Sequence, residues 1–507
     1  MKKMTIFTNM GNVAIINLIG KNKYSDFSFF EKETVFQKVG IFSDSLPEND
    51  KQVLLLTEDE DFDPKYTKII KENWNEEDLF SVFSDLSDSC ENIFYFWGDY
   101  PLLDSKLALQ MFENHIKYYA GYTFADGYPL GLSPEILRSE DIKPLYQLAK
   151  GSTKDISRNT IFNVLQKDIN AFDIETEISP VDLRMYRISL SCDNKRNSEQ
   201  LLNFINNGII DAESLLDKIS DSVHLLRTKP SYYQIQITDS CPHLCSYCPF
   251  STEAAKPEAN TSMSLSSYSQ LLDKIVALSD DAVIALSAWG EPSMHEDFIS
   301  IAKETIKRSS LTLLVETSGI GWDPEQLNEI KTLSEKYNNK VNWIVSLDAL
   351  DKDLYAKLRG EGYDEAYRTA DTLLELFGDD CWVQAVRMNE NEENLEDFFR
   401  FWKNKTENII IQKYDWFCGA YEQKKITDLS PLKRDPCWHI KRDMFIKLNG
   451  DVPLCREDLQ CAMKLGNIFE DELDAIWANG EKYYFDHING ELPTLCRDCD
   501  EYYTFNF

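Results

Sequence analysis

The sequence has no long apolar run and comparatively few basic residues. No apolar segment approaches the ~20 residues that a helix needs to cross a bilayer, so we expect no membrane span. Lysine and arginine total 53 against 86 aspartate and glutamate residues, a net charge of −33. A surface this acidic repels phosphate backbones and anionic lipids, so neither nucleic acid nor a membrane is an expected partner. The start, MKKMTIFTNMGNVAIINLIG, lacks a continuous apolar core and a small-residue cleavage site, which predicts a first β-strand, no signal peptide and a cytoplasmic protein.

The sequence also lacks short-period repeats and low-complexity segments. Its 43% hydrophobic and 27% charged residues are the proportions of a folded protein and not of a disordered one. A chain of 507 residues is too long for one hydrophobic core. The order of the patterns and the two prolines of DLSPLKRDPC (428–437) predict four parts. They are a front α/β domain (1–195), a helical connector (196–228), a core (229–430) and a cysteine-rich tail (431–507).

The core alternates short apolar strand patterns with amphipathic helix patterns. Six strands that alternate with helices imply βαβ units and a parallel sheet, which we interpret as a partial (β/α)6 barrel. In such barrels the active site lies at the carboxyl ends of the strands. The predicted strands are Tyr232–Thr238, Ala282–Ser287, Leu311–Thr317, Val341–Asp348, Trp382–Met388 and Ile409–Tyr414, and the predicted helices are 264–280, 296–308, 324–337, 362–377 and 392–404.

Three cysteines lie close together directly after the first predicted strand of the core. In CPHLCSYCPF (241–250), Cys241, Cys245 and Cys248 have the spacing C-x3-C-x2-C. Clustered cysteines in a cytosolic chain indicate metal or iron–sulfur ligands more than disulfides. Three thiolates can hold three irons of a [4Fe–4S] cluster and leave the fourth iron open for chemistry. The alternatives are zinc, whose structural sites prefer four ligands in paired C-x2-C knuckles, and cysteines that only pack.

The pattern C-x3-C-x-aromatic-C after a first strand resembles the signature of the radical S-adenosylmethionine (SAM) superfamily. In that family SAM chelates the open iron, the reduced cluster cleaves SAM, and a 5′-deoxyadenosyl radical abstracts a substrate hydrogen. The resemblance implies Cys241, Cys245 and Cys248 as catalytic cluster ligands. It also implies a flavodoxin- or ferredoxin-like low-potential electron donor and a small-molecule or peptide substrate.

Motifs at the ends of later strands extend this resemblance. SAWGEP (287–292) is similar to the family's Gly-Glu-Pro motif, with Trp289 in place of the usual preceding glycine. VETSG (315–319) is similar to E-T-N-G, and VSLDA (345–349) to the S-x-D ribose motif. Taken alone, Glu291 could be a surface carboxylate, Asp348 a helix N-cap and Arg387 an ion-pair partner. The resemblance implies SAM contacts for Tyr247 (adenine), Gly290 and Glu291 (methionyl amine), Glu316 or Ser318 (ribose or methionyl group), Ser346 and Asp348 (ribose hydroxyls), and Gln384 or Arg387 (carboxylate).

The tail contains a second group of cysteines. Together with Gly450, LGNI (465–468) and AIW (475–477), they resemble a SPASM/twitch extension, shortened because the tail has five cysteines and a full domain has seven. This implies one auxiliary [4Fe–4S] cluster, whereas the spacing alone would also suit structural zinc. Cys461 falls outside the pattern and is expected to be a spare thiol. The implied ligands are Cys437, Cys455, Cys496 and Cys499.

The front domain resembles nucleotidyltransferase-like (GT-A) domains. FWGDYPLLD (96–104) is similar to their G-D-x-P-L strand end, in which the aspartate, here Asp99, holds a divalent metal. The glycine-rich loop that cradles a triphosphate is missing from the start of the chain, so we interpret the domain as a degenerate one that binds a ligand or partner.

The whole chain resembles the spirochaete spiro-SPASM proteins. The sequence therefore predicts a radical SAM enzyme, an oxidoreductase or modifying enzyme with two [4Fe–4S] clusters, SAM and an unknown sugar- or nucleotide-linked or peptide substrate. One alternative is a radical SAM protein that matures peptides or enzymes. The other is a non-catalytic iron–sulfur binding protein.

Overall fold

The computed structural model describes residues 10–24, 28–30, 33–251 and 261–504. The chain divides into two compact units, Met1–Leu226 and Arg227–Phe507. The predicted first strand is present as Asn12–Asn17, and residues 1–9 of that prediction lie outside the described residues. No helix in the described ranges is long and apolar enough to cross a membrane.

The first unit is built around one mixed sheet. The described strands of the unit are β1 (Asn12–Asn17), β2 (Ser28–Phe30), β3 (Glu33–Thr34), β4 (Asn49–Leu56), β5 (Tyr66–Ile70), β6 (Asn92–Trp97), β7 (Tyr122–Asp126), β8 (Glu135–Arg138) and β9 (Ile174–Ile178). β2 and β3 form a separate two-stranded antiparallel sheet. The order of the mixed sheet is β5-β4-β1-β6-β8-β7-β9. Only β8 runs antiparallel to its neighbours in this sheet, and the chain winds away from β1 on both sides. This is a doubly wound α/β arrangement.

Seven α-helices lie in the part of this unit that the structure describes. They are α1 (Val35–Ser45), α2 (Glu76–Ser87), α3 (Ser105–Lys117), α4 (Ser139–Ala149), α5 (Thr160–Leu165), α6 (Lys195–Asn206) and α7 (Ala212–Lys218). Thr34, Asn75 and Asp211 begin α1, α2 and α7 with reciprocal capping boxes, which satisfy backbone N–H groups of the first turn. The predicted connector is helical as α6 and α7, and both helices belong to the first unit. The predicted domain boundaries stay predictions.

The second unit contains the remaining strands and helices. The strands are β10 (Tyr232–Ile235), β11 (Ala282–Leu286), β12 (Leu311–Thr317), β13 (Val341–Ser346), β14 (Cys381–Arg387), β15 (Ile409–Lys413), β16 (Asp443–Ile446), β17 (Asp451–Pro453) and β18 (Lys464–Asn467). The helices are α8 (Leu265–Ser279), α9 (Phe298–Ile306), α10 (Pro324–Tyr337), α11 (Lys352–Leu358), α12 (Tyr363–Phe377), α13 (Leu395–Lys403), α14 (Trp438–Arg442), α15 (Leu473–Asn479), α16 (Glu481–Asn489) and α17 (Thr494–Arg497).

The large sheet of this unit is parallel throughout, in the order β15-β14-β13-β12-β11-β10-β16. Six strands in chain order, alternating with helices, confirm the predicted α/β class and the partial (β/α)6 arrangement. The seventh strand, β16, was not predicted. It comes from the cysteine-rich tail and pairs with β10 along the register Tyr232↔Asp443 to Ile235↔Ile446. Four residues are too few to give a clear strand pattern.

The two faces of this sheet are covered differently. Alternate strand residues such as Tyr233, Leu313 and Trp343 pack into a large core beneath the helices. The residues between them form a much smaller cluster on the other face, around Tyr232, Leu314 and Ile344. A period of two places successive side chains on opposite faces. The less filled face leaves room for a cavity at the carboxyl ends of the strands.

Candidate active site

The three clustered cysteines lie on the loop that follows β10. The start of the loop is fastened where Asp239 N donates to Thr261 O (3.1 Å). Its middle is fastened to the end of α11, because Ser246 N donates to Leu358 O (2.8 Å). Cys248 N donates to Cys245 O (3.1 Å), which bends the chain between the last two cysteines. The loop is thereby held across the carboxyl end of the first strand, as the sequence predicted.

Cys245 is buried and Cys241 and Cys248 are half-buried, and the three thiols are close enough to influence one another. Burial raises the pKa of Cys241 and of Cys248 to about 12, and the neighbouring Cys245 thiol acts in the same direction. Thiolates here need a strong positive partner, which the irons of a cluster supply when bound. Among the described residues no group of three His, Cys, Asp or Glu side chains is arranged to hold a single metal ion. The donor set, three mutually close thiols, fits a larger cluster with one thiolate on each of three irons.

The Gly-Glu-Pro turn after β11 packs directly against the cysteine loop. Gly290 has a φ of +109°, and a Cβ on it would lie 2.1 Å from the carbonyl oxygen of Thr238. Glu291 N donates to Ser240 O (2.8 Å), one residue before Cys241. The buried Glu291 carboxylate accepts from Thr317 Oγ1 (2.5 Å) and Ser318 N (2.8 Å). Glu291 therefore joins the ends of β11 and β12 beside the loop, and burial raises its pKa.

Asp348 ties the cysteine loop to the fourth and fifth strands of the barrel. Its Oδ2 accepts from Tyr247 OH (2.5 Å) and Arg359 Nη1 (2.8 Å), and its Oδ1 accepts from Val386 N (2.8 Å). The side chains of Asp348 and Arg359 are almost fully buried. Tyr247 is held in place by Asp348 and Arg359 together. Arg359 had no part in the sequence prediction. The only signal was its place in LRGEG (358–362), directly after a short helix.

The remaining predicted SAM contacts divide into two groups. Gln384 Nε2 donates both to Glu316 Oε1 (2.9 Å) and to Ser346 Oγ (2.9 Å), so these three polar side chains form one network inside the barrel. Burial raises the pKa of Glu316. Arg387 lies apart, in a half-exposed pair with Glu392 (Nε to Oε2, 2.7 Å). The SAM-binding roles of all these residues stay predictions.

A cavity of about 130 Å³ opens at this end of the barrel. One side is formed by the cysteine loop and the strand ends, and the other by the chain that follows β15 and β17. Arg456 lies on the second side, paired with Asp415 (Nη2 to Oδ2, 2.7 Å) and Glu457 (Nε to Oε1, 2.9 Å). The lining residues of the cavity include Tyr247, Cys248, Trp289, Glu316, Lys413 and Arg456.

The tail brings its predicted cysteines together. Burial raises the pKa of the Cys455 thiol well above its usual range, with Cys499, Cys437 and Cys496 acting in the same direction. These four thiols fit a cluster. The pKa of Cys461 is raised mainly by burial, with Asp451 and Asp458 acting in the same direction. The structure adds Cys418, which the sequence prediction missed: its thiol hydrogen-bonds the sulfur of Cys499 and so lowers the pKa of Cys499. The sequence shows only a single cysteine between Phe417 and Gly419. In the structure Cys418 lies in the Phe417–Gly419 turn and has a left-handed φ of 53°.

The other tail motifs hold the tail in position. Gly450 has a φ of +85°, and a Cβ there would meet the Phe469 ring at 2.5 Å. Asn467 Nδ2 donates to Asn449 O (3.0 Å) and Asp451 Oδ1 (2.9 Å), closing the hairpin of β17 and β18. Trp477 Nε1 donates to Thr228 O (3.0 Å), just before β10. The motifs thus fasten the chain around Cys455 to the barrel.

In the first unit, Asp99 follows β6, and its carboxylate is paired with an arginine. Arg158 Nη1 donates to Asp99 Oδ1 (2.8 Å) and Arg158 Nη2 to Asp99 Oδ2 (2.5 Å). This bidentate pair uses both carboxylate oxygens. The guanidinium also lies over the rings of Trp97 (4.1 Å) and Tyr100 (4.9 Å).

The parallel barrel sheet and the two groups of cysteines together define an α/β protein of the iron–sulfur class. The Radical SAM superfamily model matches residues 235–401, and the SPASM model, an iron-sulfur cluster-binding domain, matches residues 437–500. An uncharacterized protein from Treponema pallidum (strain Nichols) is 38% identical over 360 residues, which are 68% of this chain and 98% of that protein. The chain belongs to the radical SAM superfamily, in one family with this Treponema protein, and has a SPASM domain. Membership implies a [4Fe–4S] cluster, SAM and further iron–sulfur binding.

More distant similarities cover parts of the chain. The GTP 3′,8-cyclase of Haemophilus influenzae (strain PittGG) is 26% identical over 179 residues, 34% of this chain and 50% of the cyclase, so the chain spans about half the length of such relatives. Streptococcus suis SuiB bound to precursor peptide SuiA is similar with a TM-score of 0.41 at 16% identity, over 67% of this chain and 78% of SuiB. A cytidylyltransferase from Leptospira borgpetersenii is similar with a TM-score of 0.34 at 16% identity, over 43% of this chain and 96% of that one.

Proposed function

We propose that this radical SAM enzyme cleaves SAM reductively to methionine and a 5′-deoxyadenosyl radical, which takes a hydrogen atom from an organic substrate. The observation that carries the proposal is the position of the Cys241–Cys248 loop. It crosses the carboxyl end of β10, it is packed against Gly290 and Glu291, and it borders the cavity at Cys248. When bound, the [4Fe–4S] cluster supplies the electron for cleavage, and its open iron binds SAM.

The chain's own side chains hold and shield the reactants. The buried Glu291 carboxylate, the half-buried Glu316 carboxylate and the Gln384 amide offer hydrogen-bonding groups for the polar parts of SAM. Tyr247, fixed by Asp348 and Arg359, and Trp289 line the cavity with rings. Such rings exclude water, which protects a radical from side reactions.

The opposite side of the cavity is suited to hold the substrate and to accept an electron from it. Arg456 follows Cys455 in the chain, and Lys413 and Arg456 both line the cavity. Under the proposal the Cys437, Cys455, Cys496 and Cys499 thiolates hold an auxiliary [4Fe–4S] cluster that assists oxidation or modification of the substrate. The substrate is sugar- or nucleotide-linked, or a peptide; the cyclase relatives, by their name, act on GTP, which supports a nucleotide-linked candidate.

The test is SAM cleavage by the anaerobically reconstituted full chain with a low-potential reductant, read as 5′-deoxyadenosine. The wild type is expected to form it, and Cys245→Ala to form none, because only two thiolates remain for the first cluster. Cys90→Ala is the matched control, since Cys90 is a buried cysteine of the first unit. Retained cleavage in Cys245→Ala, with the wild-type circular dichroism spectrum, would overturn the proposal.

We further propose that the first unit transfers no nucleotides and serves in recognition. Transfer requires a metal to neutralise and orient a triphosphate, and the Asp99 carboxylate is fully engaged by Arg158. The full chain with each nucleoside triphosphate, Mg²⁺ and candidate sugars is therefore expected to release no pyrophosphate. Steady release that Asp99→Ala abolishes would contradict this.

A further inference from the structure

A second cavity, of about 290 Å³, lies in the first unit. It opens beside the ends of β6 and β7, and in open α/β sheets the carboxyl ends of parallel strands are where ligands bind. Its volume is at the lower end of the range for small-molecule sites, enough for one ring-sized ligand. Eight aromatic residues line it, namely Tyr95, Phe96, Trp97, Tyr100, Tyr122, Phe124, Tyr128 and Phe162.

Two polar groups of this cavity could form hydrogen bonds with a ligand. The Glu135 carboxylate lines the cavity and accepts a hydrogen bond from Tyr122 OH through Oε1 only. The indole N–H of Trp97 is buried and, within the part of the chain that the structure describes, has no acceptor. A buried donor without a partner is costly. A ligand with hydroxyl groups would supply the missing acceptor and donate to Glu135.

The charge of the cavity argues against a phosphorylated ligand. The single arginine or lysine among its lining residues is Arg158. Its guanidinium is already engaged with Asp99 and with the faces of Trp97 and Tyr100. No cation is left here to hold a phosphate, and the Glu135 carboxylate would repel one.

We propose that this cavity binds one neutral carbohydrate ring. A pyranose has apolar C–H faces that pack against aromatic rings and an edge of hydroxyl groups that both donate and accept. The aromatic walls match the faces, and Trp97 Nε1 and Glu135 match the edge. A bare nucleobase would also stack between these walls, so nucleosides are titrated in parallel with the sugars. The inference concerns binding by the first unit and stands independently of SAM cleavage.

The experiment is calorimetric titration of the full chain with neutral sugars: glucose, galactose, mannose and N-acetylglucosamine. Parallel titrations use cytidine, uridine, adenosine and guanosine, each also as its monophosphate with Mg²⁺. At least one sugar is expected to bind saturably, and no nucleoside or nucleotide is expected to compete with it. Absence of saturable binding by every sugar, or displacement of a bound sugar by a nucleoside, would overturn the proposal.

A matched pair of tyrosine variants places the binding in this cavity. Tyr128→Ala removes one wall and is expected to weaken sugar binding about tenfold, the scale of one lost aromatic contact. Tyr118→Ala removes a tyrosine that is 54% exposed and does not line the cavity, so the affinity should not change. Trp97→Phe keeps a ring but removes the N–H, and is expected to weaken binding as well. Wild-type affinity in both Tyr128→Ala and Trp97→Phe would contradict the assignment.

Discussion

A single buried carboxylate, Asp348, connects three parts of the barrel rim: Tyr247 of the cysteine loop, Arg359 after α11, and the backbone of β14 at Val386. It adopts a left-handed φ of 68°, which aspartate tolerates better than most residues. The sequence offered Asp348 only as a ribose ligand or an N-cap. Its role in positioning Tyr247 is visible only when Arg359 is placed beside it.

Asp348→Ala is expected to lower the free energy of unfolding by about 3–5 kcal/mol, because Arg359 is left buried without its charged partner. Chemical denaturation of the cluster-free protein measures this. The control is Asp364→Ala, whose pair with Lys352 is exposed and contributes about 0–1 kcal/mol. Equal losses in the two variants would contradict the role given to the buried pair.

Glu135 predicts a pH dependence for the first unit. Burial raises its pKa from 4.5 to about 7, with the Tyr122 hydrogen bond opposing. The folded state therefore holds this proton more tightly than the unfolded state. The stability that this group contributes is fully present below pH 4.5 and is lost as the pH rises to about 7.

Glu135→Gln removes this titration. Relative to the wild type, the variant is expected to gain stability between pH 5 and pH 8, by up to about 3 kcal/mol. Scanning calorimetry at the two pH values provides the measurement. Glu140→Gln, on an exposed residue of α4, is the control and should show no such gain. An equal difference from the wild type at both pH values would refute the prediction.

At the scale of elements, the turn after β11 packs directly against the loop after β10. Gly290 is required there both by its positive φ and by the 2.1 Å approach that a Cβ would make to Thr238 O. The obstructing atom belongs to the backbone, so it cannot swing away as a flexible side chain would.

Gly290→Ala is expected to displace the start of the cysteine loop and so to lose the iron of the first cluster and SAM cleavage. Iron per chain and 5′-deoxyadenosine are the measurements. Gly490→Ala is a matched control, because Gly490 has a φ of +74° but open space around its Cβ position. It carries the backbone strain alone, about 1 kcal/mol, and should keep both readouts. The prediction fails if the two variants behave alike.

Pairing of β16 with β10 makes the tail part of the barrel sheet. A chain ending at residue 430 leaves the N–H and C=O groups of β10 unpaired along one edge. We expect this truncated chain to aggregate and to lose SAM cleavage. The variant with Ala at Cys437, Cys455, Cys496 and Cys499 keeps β16 and should stay soluble. A soluble, active truncated chain would show that β16 is dispensable.

For the whole molecule, two clusters predict about 8 iron per chain, of which the variant with Ala at Cys241, Cys245 and Cys248 should keep about 4. Cys461→Ala should leave the count unchanged. Zinc in the tail, or no iron in the triple variant, would contradict the ligand assignment. Iron and zinc analysis of anaerobically reconstituted protein measures both.

Local pattern predicted the α/β barrel, and the resemblance of the cysteine motif to the radical SAM signature supplied the expected chemistry. β12 and α10 have the predicted bounds, and α8 begins one residue after its predicted start. The spacing of Cys241, Cys245 and Cys248 is likewise a local property. These features follow from residue periodicity and from groups a few positions apart, which a linear sequence displays directly.

Only the tertiary structure decided which distant groups meet. Arg158 lies 59 positions from Asp99, and Tyr247 lies 101 positions from Asp348. Likewise, the role of Cys418 depends on its contact with Cys499, and that of β16 on its pairing with β10. In the sequence, Arg158 looks like an ordinary charged residue, Cys418 like a spare thiol and β16 like a short apolar stretch. Their pairing depends on how the sheet brings loops together, and the pattern around each residue carries no record of that.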